Sequence, residues 1–372
     1  MAIWTKSLTT FEANCAGIYS LCQFGSKVYA GTYYNGINTN NYAQIWESTD
    51  GLTWTKNATF PTSGGIDTAI TGPANSGVGG DVISGMVVFG SKLYILRAWA
   101  GQPRIYSTTD GTTWVLEKVL YASNSLTYSR NLMTDGSKLY VAGGSGNARV
   151  LTSASTPSGT WTSELTATNL YTGTISIKYG SDIFLTGSPS TGTDDAWVYR
   201  KTSGTWNSGT KFTGTKEIYD ACVFKNKLYL VGSDTANLTT QTKIHCWDGT
   251  SWTTTTQSAT FPSGPTIFVS TDNYLYANAA NTSPGGITTY NFYRSADGST
   301  FSTTEAVGNA AAGLWSQPRS HTNFDRRSLI GVIGTGGSTG GIYYSGQLVG
   351  ACVGNSSWNE SDAVFALSNG PC

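Results

Sequence analysis

The sequence predicts an all-β fold, a seven-bladed β-propeller of four-stranded blades. Three observations carry this: a composition made for strands and turns, a recurring unit of about fifty residues, and an orphaned strand at the N-terminus. Of 372 residues, 45 are Gly, 21 Tyr and 12 Trp, while 12 % are charged. Aromatics and Thr suit a pleated surface, and Gly and Asn supply turns.

One half of the unit is a tight turn followed by a strand. It reads "FGSKVYAG" (24–31), "FGSKLYIL" (89–96), "DGSKLYVAG" (135–143), "YGSDIFLTG" (179–187) and "FKNKLYLVG" (224–232). Weaker copies are "TDNYLYAN" (271–278) and "DRRSLIGVIG" (325–334). The other half is a strand, a turn and an aromatic: "IWESTDGLTW" (45–54), "IYSTTDGTTW" (105–114), "IHCWDGTSW" (244–252) and "FYRSADGSTF" (292–301). The closing aromatics are Trp54, Trp114, Trp161, Trp206, Trp252 and Phe301, separated by 60, 47, 45, 46 and 49 residues. A unit of roughly 40–50 residues with about four short strands is the period of a propeller blade. Asp-Gly is expected to form a two-residue turn between the third and fourth strands, both central residues having positive φ.

The seventh unit lacks the aromatic ending after "GIYYSG" (341–346), and "IWTKSLTTF" (3–11) matches the ending "TWTKNATF" (53–60). The N-terminal strand is therefore expected to complete the last blade and cover an otherwise open sheet edge. Residues 1–346 form the propeller in this reading. Residues 347–372 form a C-terminal tail that packs on it or on a neighbouring chain.

The Asp-Gly-aromatic segments "STDGLTW" (48–54), "TTDGTTW" (108–114) and "SADGSTF" (295–301) resemble the Asp-box repeat of sialidase-like propellers, S-x-D-x-G-x-T-W, each shorter by one residue. The resemblance implies the fold and leaves function open, because in those families the box lies away from the active face. A sialidase also needs three converging arginines, a Tyr–Glu nucleophile pair and an acidic Asp. The nine arginines include no F/Y-R-I-P motif, so no catalytic residue carries over.

Net charge is zero without basic or acidic blocks, which argues against nucleic acid as a partner. No apolar run reaches the ~18 residues of a membrane helix, so membrane insertion is not expected. No basic-then-apolar leader opens the chain. The uncharged Thr/Asn/Gly surface suits an extracellular or virion-surface component. Five N-x-S/T sequons, at Asn57, Asn237, Asn281, Asn355 and Asn359, read as chance matches in so Thr- and Asn-rich a chain.

Residues sharing a slot in several repeats read as structural; those outside it are candidates for function. Cys22 and Cys222 share a slot and read as core, and Cys246 takes the place of Ser48 and Thr108. Cys15, Cys352 and Cys372 lie outside the repeat and are disulfide candidates. Trp99 in "RAWAGQPR" and Trp315 in "AGLWSQPRSH" fall in loops of one face, flanked by Arg104 and by Arg319 and His321. With Tyr33, Tyr34 and Asn35 from "TYYNGINTNNYAQ" (32–44) they form the candidate ligand-binding set, for a glycan or a protein partner. The alternative of plugging the channel mouth stays open. An enzymatic reading, a glycoside hydrolase with two facing carboxylates, draws on Asp67, Asp81, Asp194 and Asp195, all of which also suit turns. Two histidines and no CxxC pair make a zinc site improbable, and no cofactor is implied.

Overall fold

The structure is a computed structural model. It describes residues 5–7, 9, 11–12, 15–34, 43–61, 81–98, 103–120, 131–144, 148–153, 156–189, 194–234, 242–257, 267–269, 274–283, 286–307, 316–325, 327–334 and 341–345. Among these it is all-β, without a helix.

Antiparallel meanders repeat along the chain. Asn131–Thr134, Leu139–Gly143, Ala148–Ser153 and Trp161–Ala167 pair in sequence order. Glu217–Phe224, Lys227–Ser233, Thr242–Trp247 and Trp252–Thr256 do the same. The first strands of successive meanders pack side by side: Cys15–Phe24 on Asp81–Phe89, then Asn131–Thr134, Leu170–Tyr179 and Glu217–Phe224, the last on Ile267–Val269. Ser316–Phe324 packs back against Cys15–Phe24.

Most of the described first strands meet the second across two residues, as between Phe24 and Lys27 or Tyr179 and Asp182. Gly25, Gly90 and Gly180 take φ near +60°, the left-handed region that glycine enters without a Cβ clash. Lys225 and Asn226 adopt φ of 45° and 57° in the same place, as a type I′ turn demands of both central residues.

The Asp-Gly turns depart from the expected two-residue form. Strand Ile45–Ser48 ends two residues before Asp50, and Thr55–Lys56 begins after Trp54. Only Gly51 has positive φ (72°). The longer loop is held by side chains instead: Ser48 Oγ accepts from Gly51 N–H at 2.8 Å and donates to Asp50 Oδ1, which accepts from Leu52 N–H and Thr53 N–H. Thr108–Asp110 and Ser295–Asp297 repeat this network. A true two-residue turn does occur at Ser203-Gly204, where φ is 48° and 84°.

These turns dock onto the preceding meander. Tyr29 and Tyr229, both buried in second strands, lie beside the glycines of the next turns, Gly111 and Gly298. The closing aromatics pack behind them: Trp54 and Trp114 are 3 % and 4 % exposed, and Trp114 meets Phe60 edge-on at 5.1 Å. Asn57, a sequon residue, is buried here; its Nδ2 donates to Gly111 O and Glu47 Oε2, and its Oδ1 accepts from Phe60 N–H. An amide so committed is closed to glycosylation.

The N-terminal segment is shorter as a strand than the 3–11 span anticipated. Thr5–Lys6 pairs with Gly341–Ser345, and Ser7 N–H continues to Ile342 O. The chain then crosses to the first meander. Thr9 Oγ1 accepts from Trp54 N–H at 2.7 Å, and Phe11 packs on Trp46 at 4.8 Å. The Thr9 hydroxyl and the Phe11 ring find partners off the ladder, which ends the strand.

A recurring serine ties first strands together. Ser20 Oγ donates to Ile83 O at 2.8 Å, and Ser320 Oγ to Ile18 O at 3.4 Å. Ser20→Ala is expected to cost about 1 kcal/mol, the net worth of one buried hydrogen bond, read as a lower urea midpoint at unchanged slope.

Candidate functional site at the central channel

First strands of successive meanders contribute short consecutive runs to one shared cavity, and most of those described carry a bulge. Register shifts fall between Ile18 and Ser20, Ile83 and Gly85, Ile218 and Asp220, and Pro318 and Ser320. A bulge leaves one residue unpaired and re-aims its side chain. Tyr19, Ser84 and Tyr219 occupy that slot and line a cavity of ≈ 270 Å³ on the axis. Its wall also holds Asn131, Ser176, Asp220 and His321, over apolar Leu21, Met86, Leu132 and Ala221. A second cavity of ≈ 390 Å³ shares Ile177, Ala221 and His321 and continues toward the tight-turn end at Lys178, Val223 and Asn323.

Tyr33 packs on Tyr19, ring centroids 5.1 Å apart. In the equivalent place Tyr219 Oη shares a hydrogen bond of 3.1 Å with Ser233 Oγ, and burial, then the charge of Glu217, raises its pKa. Burial draws the pKa of His321 down to about 4, so its imidazole is neutral at pH 7 and offers one donor and one acceptor.

The structure thus brings Tyr33, through Tyr19, to the same channel as His321. Arg104 lies in strand Arg104–Thr108, buried at 3 % and in register with buried Arg97, whose Nη1 donates to Pro61 O. Trp99, Trp315 and Asn35, with the side chains of Tyr34 and Arg319, lie outside the described residues, as do Asp67 and the side chain of Asp81. Asp195 accepts from Lys216 at 2.8 Å and lies 3.2 Å from Lys211; Asp194 is exposed. Tyr19, Tyr219, Ser176 and Asp220 were not singled out from sequence. A signal for two of them existed: "IYSLC" (18–22) and "IYDAC" (218–222) repeat the tyrosine in one slot.

Cys15 is a buried free thiol whose Sγ–H points to Gly17 O, while Cys352 and Cys372 lie outside the described residues. Burial pushes Cys15 up to about 12 and Cys22 to about 11, and raises Cys222 too. Thiolate is the reactive form. With Cys246, Cys352 and Cys372 replaced by Ser, iodoacetamide at pH 8 is expected to leave these three thiols unmodified until denaturant is added. Labelling of the native protein at the rate of a free thiol would contradict that placement.

No protein-family model matches the chain, and no curated protein matches it in sequence. Among solved structures, the propeller of Dos1 covers 90 % of this chain and 94 % of its own at 10 % identity, with a TM-score of 0.57. The fold is a β-propeller. A polysaccharide lyase, an ulvan lyase solved bound to -[GlcA(1-4)Rha3S]-, is similar over 90 % of this chain and 93 % of its own, at 13 % identity and a TM-score of 0.55. A protein of unknown function from Dyadobacter fermentans DSM 18053 covers 92 % and 98 %, at 12 % identity and 0.51. Identities this low speak to the propeller fold alone. Among the described residues no helix is long and apolar enough to cross a membrane, and no group of three or more His, Cys, Asp or Glu side chains gathers to hold a metal.

Proposed function

We propose that this chain is a seven-bladed recognition propeller, closed by its N-terminal strand, that binds a glycan or protein partner through its loop face and channel mouth. Its setting in this reading is a virion, phage or cell surface, with 347–372 as a tail that packs on the propeller or a neighbouring chain. The Asp-Gly turns are shortened relatives of the Asp box, used as punctuation between blades.

The observation that carries the binding reading is the employment of the described carboxylates. Asp50, Asp110, Asp248 and Asp297 accept the N–H groups of their own turns. Asp182, Asp195, Glu47, Glu117 and Glu164 sit in ion pairs. Asp220 is the one carboxylate among the described residues lining the axial cavity. Two-carboxylate hydrolysis needs a pair about 5–10 Å apart, whereas a wall of hydroxyl, amide and imidazole groups suits holding a ligand.

A glycan array tests this, run with the purified chain beside Tyr33→Ala, Trp99→Ala and Trp315→Ala. Selective binding weakened in these variants supports recognition at the loop face. Release of reducing ends from an array hit would replace it with the hydrolase reading.

A further inference from the structure

We propose that the outer strand Trp252–Thr256 is a docking edge for a second copy of this chain, the two copies pairing edge to edge and antiparallel about a two-fold axis between their Thr254 residues. The proposal stands apart from the ligand reading above, and neither depends on the other. A bare sheet edge is a template for another strand, and folded proteins guard it by shortness, bulges or charge. Among the described residues the other outer strands carry such guards. Thr5–Lys6 and Thr55–Lys56 are two residues long, and Thr205–Trp206 and Thr210–Phe212 are separate short pieces. Val115–Val119, Trp161–Ala167 and Ser302–Val307 each meet a register shift, and the first two also carry Glu117, Lys118 and Glu164. Trp252–Thr256 has none of these. It is five residues long and uncharged, its register against Thr242–Trp247 is unbroken, and Thr253, Thr254, Thr255 and Thr256 are all exposed.

The ladder shows which backbone groups face outward. Asp248 N–H donates to Ser251 O and Gln257 N–H to Thr242 O, one pair at each end of the strand. Hydrogen-bonded pairs alternate along an antiparallel ladder, so Thr253 and Thr255 turn their N–H and C=O groups inward, while Trp252, Thr254 and Thr256 turn theirs outward. The edge is also held ready. Trp252 packs against Phe212 at 5.1 Å and Trp247 at 5.3 Å, and Thr254 Oγ1 shares a hydrogen bond with His245 Nδ1. Little order is left to impose on it at association.

The lack of charge and the alternation of the strand select a second copy as the occupant. Centred on Thr254, a two-fold sets Thr254 opposite Thr254 and Trp252 opposite Thr256, so every outward group meets an outward group. Thr253 then faces Thr255, and Thr–Thr neighbours across strands are favourable where like charges would repel. One strand pair falls short of the roughly 1,200 Å² that stable interfaces bury, so the association is reversible and depends on concentration.

The test is sedimentation velocity of the full chain between ~5 and ~300 µM, which brackets weak dissociation constants, with reductant present because the chain has six cysteines. Expected is a monomer–dimer equilibrium. Thr253→Lys with Thr255→Lys sets like charges opposite each other in this register and should weaken the dimer at least about tenfold. Thr253→Lys with Thr255→Glu sets opposite charges there and should restore it. All these positions are exposed, so the thermal midpoints should match that of the unaltered chain. A chain that stays monomeric throughout overturns the proposal, as does a dimer indifferent to the double lysine variant. Loss of the dimer in both double variants overturns the two-fold register.

Discussion

Gly111→Ala is expected to destabilise the protein by about 2–5 kcal/mol, and Tyr29→Phe is expected to recover much of it. Gly111 holds φ at +77°, which costs an L-residue about 1–2 kcal/mol. A Cβ there also runs into Tyr29 Oη, and overpacking adds about 1–3 kcal/mol. The hydroxyl is the worst-placed atom, while Tyr29 Cζ at 3.0 Å from the added carbon makes a tight contact that a small shift of the ring relieves. Removing the hydroxyl therefore relieves the clash and leaves the φ cost. Gly298→Ala meets Tyr229 differently: ring atom Cε1 lies 2.6 Å away, so Tyr229→Phe should recover little. Gly25→Ala is the control, with φ +60° and nothing within 4 Å of the added Cβ, and should lose only the backbone share. Urea unfolding of the three alanine variants and two double variants checks this. Equal losses at Gly25 and Gly111 would mean that the turn does not interlock with its neighbour.

Stability is expected to fall in two stages as pH drops. His245 is buried, stacked on Phe212 at 4.1 Å, and shares hydrogen bonds with Thr215 Oγ1 and Thr254 Oγ1. Burial, helped by the charge of Lys243, lowers its pKa from 6.5 to about 4. Below pH 6.5 the unfolded chain takes a proton that the folded chain refuses, so stability declines from there and levels off near pH 4. At about 1.4 kcal/mol per pH unit the stage amounts to about 3 kcal/mol for His245, and His321 contributes in the same direction. The second stage begins near pH 4. Asp110, Asp248 and Asp297 are held below the ordinary carboxylate range by the N–H groups of their turns, and their stabilisation is lost as they protonate. His245→Gln does not titrate and should flatten the first stage while leaving the second. Urea midpoints at pH 7.5, 6.5, 5.5 and 4.5 measure it; an unchanged slope in the variant would place the effect elsewhere.

Much of the frame was legible because its causes are local. A glycine that must enter positive φ, a Tyr that repeats two places after a Lys, and an aromatic that closes six of the units are written in short stretches, and repetition makes them stand out. Asp50 shows where local reading stops. Asp-Gly alone suggests a two-residue turn, but Ser48 and Asp50 together satisfy four polar contacts of a longer loop, and the network wins over the dipeptide preference. Phe11 shows the same for the N-terminal segment: its ring is buried against Trp46 and Trp54, a gain larger than two more ladder bonds on an edge.

By itself the sequence determined the all-β class, the period and the places of the tight turns, since these follow from backbone sterics and side-chain alternation within a few residues. Tertiary structure alone decided the channel. Tyr19, Ser176, Tyr219 and His321 come from four strands spread over some three hundred residues, and only the packing of first strands about one axis makes them neighbours. Which side chains face that axis depends on one-residue bulges, each of which reverses the alternation after it.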